Sequence, residues 1–190
     1  LSYISVNIVR AGLITFFALC NWRYAVMTSR YWGKSERIIT NLLTTVPRAE
    51  GKIMVLLNLP ECFNGTPMIG GDKQSEFKLM HNLLLPDKKI PNTVYDVLSY
   101  NMQTPDDGAH VMVVSNNMLH VTLNQWGTWW WFEGKGAYSY ENSDYKLNLI
   151  DAGHWYELTL KKPADQYLLL YQVGDKWKTV DISKMNVDQN

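Results

Sequence analysis

The chain has 190 residues, 18 basic against 18 acidic, and 13% of them are aromatic. Zero net charge argues against a dedicated nucleic-acid binder, which needs clustered Lys and Arg, and the aromatic content excludes a disordered chain. The balance conceals an asymmetry. Residues 1–34 hold Arg10, Arg23, Arg30 and Lys34 and no acid, so the rest of the chain carries a net charge of −4.

Tyr3 to Cys20, YISVNIVRAGLITFFALC, is an apolar stretch about long enough to cross a bilayer. Arg10 sits near its middle, where a charge costs about 2.5–3.5 kcal/mol on insertion scales. Shifting the span to Ala11–Met27 removes Arg10 but admits Asn21 and Arg23. Either choice carries one charge, which neighbouring helices tolerate better than bare lipid does. The competing reading is a long buried helix of a soluble protein. A lipoprotein signal before Cys20 is disfavoured, because Leu19 stands where a small residue is required. The expectation is an apolar helix of transmembrane length over residues 1–27, in or against a bilayer.

An amphipathic stem helix over residues 28–47, open to being continuous with the first, follows from Tyr31, Ser35, Ile38, Ile39, Leu42, Leu43 and Val46. These recur at three- and four-residue steps until Pro47. Gly33 weakens the stem by about 1 kcal/mol relative to Ala.

Residues 48–107 read as a small α/β unit. KIMVLLNLP (residues 52–60) has the continuous apolar character of a buried strand. A loop follows, ECFNGTPMIGGDK, then a helix from about Gln74 to Leu85 and a second strand over Thr93–Tyr100. From residue 108 to 185 the pattern changes to hairpins. VMVVS and MLHVTLN are separated by Asn116-Asn117, a pair suited to a two-residue turn. Breaks also fall at Gly134-Lys135-Gly136, Asp151-Ala152-Gly153, Pro163-Ala164-Asp165 and Gly174-Asp175, between KLNLI, HWYELTLKK, YLLLYQV and WKTVDI. The fold class is therefore expected to be α+β: a long N-terminal helix, a small α/β unit and an antiparallel sheet or sandwich of seven or eight strands over residues 109–182. Residues 186–190 form a tail.

No motif for catalysis, a cofactor or a metal stands out. Gly65 to Lys73, between a strand and a helix, occupies the place of a phosphate loop. Gly71 and Asp72 stand where the Walker pattern needs Lys and Ser or Thr, so an ordinary turn capped by Asp72 is preferred. His81, His110, His120 and His154 are scattered, and Cys20 and Cys62 read as two separate thiols. Glu133, Glu141, Asp144 and Asp151 can pair across a sheet as glycosidase carboxylates do, but acids near hairpin turns are usually just solvated. Asn64-Gly65-Thr66 is an N-glycosylation sequon, relevant only in a eukaryotic secretory setting.

The stretch QWGTWWWFEGKGAYSY (residues 125–140) is the strongest functional signal. Strand alternation puts Trp129 and Trp131 on one face and Trp130 and Phe132 on the other. Aromatic faces stack on sugar rings while amides bond the ring hydroxyls, so Trp129, Trp131, Tyr138, Tyr140 and Asn142 form the candidate glycan or interface platform. Core packing is the alternative use of these rings, and it ranks ahead. Gly127 and Glu133 flank the Trp129/Trp131 register, which is therefore expected to face outward.

The order of YWGKSERIITNLL, VLLNLPECFNGTPMI, GTWWWFEGKGAYSYEN and KWKTVDI resembles the C-terminal extracytoplasmic region of Bacteroidetes-type polytopic membrane proteins described as glycosyltransferase-like. The resemblance covers most of the chain and carries no catalytic residue with it. It implies a non-catalytic domain outside the bacterial inner membrane, facing the periplasm, with catalysis residing in a membrane-embedded part. Expected partners are the membrane or a membrane-embedded partner and a glycan, not nucleic acid. A membrane-anchored interaction subunit of a cell-envelope complex is the alternative. Arg23, Arg30 and Lys34 after the apolar segment count towards the cytoplasmic side, since basic residues favour that face. The rule counts all loops and the first helices usually dominate, so one stem does not decide the orientation.

Overall fold

The computed structural model describes residues 3–45, 51–69, 73–87, 91, 93–123, 128–130, 139–151 and 155–182. The expected α+β class holds: the described residues form one long helix, one short helix, a single 3-10 turn and thirteen strands in three sheets. The apolar segment and the stem are one continuous helix, α1 (Tyr3–Thr45). At 1.5 Å per residue its 43 residues extend about 65 Å.

The segment read as a single strand over residues 52–60 passes through two sheets. It forms β1 (Ile53–Leu56), kinks at Leu57-Asn58, and continues as β2 (Leu59–Phe63). The loop expected from Glu61 is instead the end of β2 and a tight hairpin to β3 (Thr66–Pro67). Asn64 and Gly65 turn that hairpin with φ of 46° and 78°, a left-handed pair that Asn and Gly tolerate. After α2 (Lys73–Leu84), β4 (Thr93–Asp96) and β5 (Ser99–Met102) repeat the kinked path. β4 runs parallel to β1, and β5 runs parallel to β2. Hydrogen bonds carry the ladder across both kinks: Val97 N–H donates to Leu56 O at 2.9 Å, and Leu59 N–H to Leu98 O at 2.8 Å.

Five strands form an antiparallel sheet in the order β6 (Ala109–Ser115), β7 (Met118–Leu123), β11 (Trp155–Leu160), β10 (Tyr145–Asp151) and β9 (Ser139–Glu141). The turn at Asn116-Asn117 joins β6 to β7 as its residues require. The last two strands depart from the expected antiparallel sheet. β12 (Tyr167–Val173) pairs parallel with β1 and antiparallel with β13 (Lys176–Thr179), giving a mixed sheet β13-β12-β1-β4. Strands on either side of residue 108 thus share a sheet. The third sheet is β3-β2-β5-β8, where β8 is Thr128–Trp130.

The mixed sheet is the middle layer. Met54, Leu56, Leu168 and Leu170 meet Ile39, Leu42 and Leu43 of α1 and Phe77 of α2 on one face. On its other face Val55, Leu57, Tyr167 and Leu169 meet Leu119, Val121, Leu147, Tyr156 and Leu158 of the five-stranded sheet. Burial on both faces explains why IMVL and YLLL are apolar at every position. Ile38 of α1 joins Phe63, Tyr100 and Met102 over the third sheet.

A buried polar network holds the kinks. Asn58 Nδ2 donates to Gln172 O at 3.0 Å, and Gln172 N–H donates back to Asn58 Oδ1 at 2.8 Å. The Tyr100 hydroxyl donates to Gln172 Oε1, and Gln172 Nε2 donates to the carbonyls of Asp107 and Gly174. Asn58, Tyr100, Asp107 and Gln172 are fully buried. Next to them Gly108 passes so close to β12 that a Cβ would lie 2.5 Å from Gln172 O. Only glycine fits there.

The two halves of α1 differ. Its last turns are docked: Tyr31 meets Phe63 edge-on at 5.2 Å, Trp177 Nε1 donates to Ile38 O at 3.0 Å, and Asn41 Nδ2 to Asp175 O at 2.7 Å. Ile38→Ala or Leu42→Ala should cost about 2–5 kcal/mol in urea unfolding, whereas Phe17→Ala should leave the midpoint unchanged. Gln172→Leu should cost on the order of 1–3 kcal/mol for each buried polar group it leaves unsatisfied, read as a lower midpoint at constant slope.

Candidate functional site

Of the five platform residues, the backbone of Trp129 lies in one sheet, and Tyr140 and Asn142 lie in and beside another. Trp129 lies on β8 in the third sheet, in register with Tyr100, and Trp130 is in register with Ser99. Trp131, Phe132, Glu133 and Tyr138 lie outside the described residues, as do the side chains of Trp129 and Trp130, so the outward register expected for Trp129 and Trp131 falls there too. Tyr140 is on β9 in the five-stranded sheet, half-buried against the main core with its ring 5.8 Å from Tyr145. Asn142 forms the turn after β9: its Oδ1 accepts the N–H groups of Asp144 and Tyr145, each at 2.8 Å. Tyr140 serves packing and Asn142 serves the turn.

The hairpin acids separate by burial. Glu141 is exposed and pairs with Lys161 at 2.7 Å. Asp144, expected to be solvated like the others, is only 5% exposed. It holds Lys162 at 2.5 Å, and it accepts the Tyr95 hydroxyl at 2.5 Å and the Ser143 hydroxyl at 3.0 Å. Its backbone carbonyl accepts the Tyr167 hydroxyl and Lys161 N–H. Burial works against the Asp144 charge, yet the hydrogen bonds from Lys162, Tyr95 and Ser143 prevail and hold the carboxyl below its ordinary value. The group is a clamp between β4, the β9–β10 turn and the start of β12. Among the described residues its oxygens face the donors of Lys162, Tyr95 and Ser143; Glu133 and the side chain of Asp151 lie outside the described residues.

The outer face of the five-stranded sheet carries a cluster that the sequence reading did not single out. His120 Nε2 lies 2.9 Å from Glu157 Oε1, and its ring is 4.7 Å from that of Trp155. Register adds Asn148 beside Glu157, and Met112 beside His120. The sequence signal was alternation: His120 and Thr122, then Trp155, Glu157 and Thr159, occupy every second position of two adjacent strands. A half-exposed ring beside amide and carboxylate groups is the chemistry sought in the tryptophan stretch. Here it sits on a face open to solvent.

Among the described residues the histidines stand apart: His81 is buried on α2, His110 is exposed and His120 is bonded to Glu157, while His154 lies outside the described residues. Among the described residues no group of three or more His, Cys, Asp or Glu is placed to hold a metal ion. Both thiols are free, Cys20 exposed on α1 and Cys62 half-buried on β2. A cavity of about 430 Å³ lies between Lys52, Tyr167 and Asp181, and another of about 350 Å³ between His110, Tyr171 and Lys178; neither is lined by Tyr140 or Asn142.

The first half of α1 is the other exposed feature. Ile14, Phe17, Leu19, Trp22 and Tyr24 are each 60–72% exposed, and Ile8, Val9, Leu13 and Phe16 are exposed with them. They point in all directions around the helix. Among the described residues, no helix is long and apolar enough to cross a membrane. No protein-family model, curated protein or solved structure matches the chain.

The Asp144 clamp gives a pH dependence of definite sign. A carboxyl whose folded value lies below the unfolded one, about 3.9, stabilises the fold above that pH. The contribution is lost as pH falls through the folded value. Asp144→Asn should therefore cost about 1–3 kcal/mol at pH 7 and flatten the loss of stability below about pH 4, measured as urea midpoints between pH 6 and 2.

Proposed function

We propose that this chain is a non-catalytic α+β domain carried on a membrane-associated helix, part of a bacterial polytopic membrane protein of the glycosyltransferase-like kind. In this reading residues 3–27 lie in or against the inner membrane and the domain faces the periplasm, where its sheet surfaces contact glycan. The observation that carries the proposal is the exposed apolar half of α1. A helix that is hydrophobic all round needs an apolar medium on every side, which water does not provide. The folded body covers none of the stretch from Val6 to Leu19, whereas Ile38, Leu42 and Leu43 further along the same helix are fully buried.

Arg10 refines the reading. A guanidinium within the apolar stretch is costly against bare lipid and acceptable against polar groups of neighbouring helices. It favours residence beside a membrane-embedded partner. The His120–Glu157–Trp155 cluster on the open sheet face supports glycan contact.

One observation favours a second reading, an interaction subunit of an envelope complex. β6 ends its sheet and exposes Met112 (51%) and Val114 (42%), an apolar edge of the kind that takes a partner strand. Apolar spans encoded upstream would favour the first reading, and their absence the second.

Removal of residues 1–27 tests the anchor. The truncated domain should stay soluble without detergent and melt cooperatively within a few degrees of the full chain, because the docked residues begin at Tyr31. Aggregation with loss of cooperative melting would show instead that the first helix is core.

A further inference from the structure

Three arginines recur at seven-residue intervals along α1: Arg23, Arg30 and Arg37. Seven residues are nearly two turns, so the three form one stripe with about 10 Å between neighbours along the axis. All three are exposed. The stripe is separate from that of Tyr31, Ile38 and Leu42, which pack on the domain. Lys34, between two of the arginines, is turned to the body and held 3.7 Å from Asp175.

Around the first two arginines stand Trp22, Tyr24 and Trp32, exposed by 72%, 70% and 54%. Before Trp22 the helix is apolar apart from Arg10 among its charged residues, and just beyond Trp32 it enters the core. The order is apolar side chains, then aromatic rings with guanidinium groups, then folded protein. A bilayer edge has the matching order of hydrocarbon, headgroups and water. Through Lys34 the chain has four cations and no acid, so the complementary occupant at that depth is an anion.

We propose that Arg23 and Arg30 bind the phosphate groups of anionic lipids, framed by Trp22, Tyr24 and Trp32. The proposal rests on the membrane-associated reading above. A planar guanidinium offers paired N–H donors to phosphate oxygens. Helical side chains lean toward the N-terminus, so Arg30 reaches back toward the layer where Arg23 lies. Arg37 does not share that layer. It lies about 20 Å beyond Arg23, level with the fully buried Ile38, and faces water.

The test uses the full chain reconstituted with phosphatidylcholine vesicles, with and without phosphatidylglycerol. Flotation reports whether the chain associates with the bilayer at all. Competition between spin-labelled phosphatidylglycerol and phosphatidylcholine then reports selectivity. The wild type should prefer the anionic lipid by about fivefold for each arginine, and 0.5 M salt should weaken the preference. Arg23→Gln/Arg30→Gln should abolish the preference while the chain still floats, and Arg37→Gln should leave it intact. A chain that floats without preference, one whose preference survives the double substitution, or one that loses it equally with Arg37→Gln would overturn the headgroup site alone. A chain that does not float would overturn direct contact of α1 with lipid, and the headgroup site with it.

Discussion

The reciprocal pair between Asn58 and Gln172 is the constraint on which the three sheets depend. The side chain of Asn58 supplies the donor and acceptor that the backbone of Gln172 needs, at the point where β1 kinks into β2. The Gln172 side chain in turn reaches Tyr100 on β5 and the carbonyl of Asp107, two residues before β6 begins. An unpaired amide in this dry interior would cost far more than a bonded one gains, so the network permits one arrangement and excludes its neighbours. Gly108 belongs to the same joint, because β12 leaves no space for a side chain there.

Around that joint the layers follow from which faces are apolar. β1 and β12 are buried on both sides and form the middle of the body, while the five-stranded sheet buries one face and shows the other to solvent. The helical layer closes the opposite side with α2 and only the last part of α1. The same helix is therefore two things at once: core beyond Tyr31 and free apolar rod before it. Because it is continuous and its end is bonded to the β12–β13 hairpin, whatever holds the rod also fixes the orientation of the sheets.

The rod and the body present two surfaces of different character. The rod offers apolar area with a basic, aromatic collar, and the outer sheet offers a ring with polar neighbours. The Asp144 clamp, buried where Glu141 is exposed, joins β4 to the turn between β9 and β10. Its chemistry is structural.

Much of this was legible in the residues themselves. Hydrophobic spacing located both helices, the Asn116-Asn117 and Gly174-Asp175 turns located two hairpins, and the acid-free first 34 residues marked the rod. These are local properties, set by backbone preference and by the period of apolar positions. What the tertiary structure alone decided was partnership. YLLLYQV reads as a strand but does not show that its neighbour is Ile53–Leu56, over a hundred residues earlier and parallel. Nothing near Asn58 indicates that a strand breaks there, since the reason is Gln172. The carboxyl of Asp144 resembles any hairpin acid until Tyr95 and Lys162 close over it. His120, Glu157 and Trp155 become one cluster only when β7 and β11 pair. Pairing energy resides in contacts between residues distant in the chain, and a linear pattern records the apolar or polar character of each position without recording which other position satisfies it.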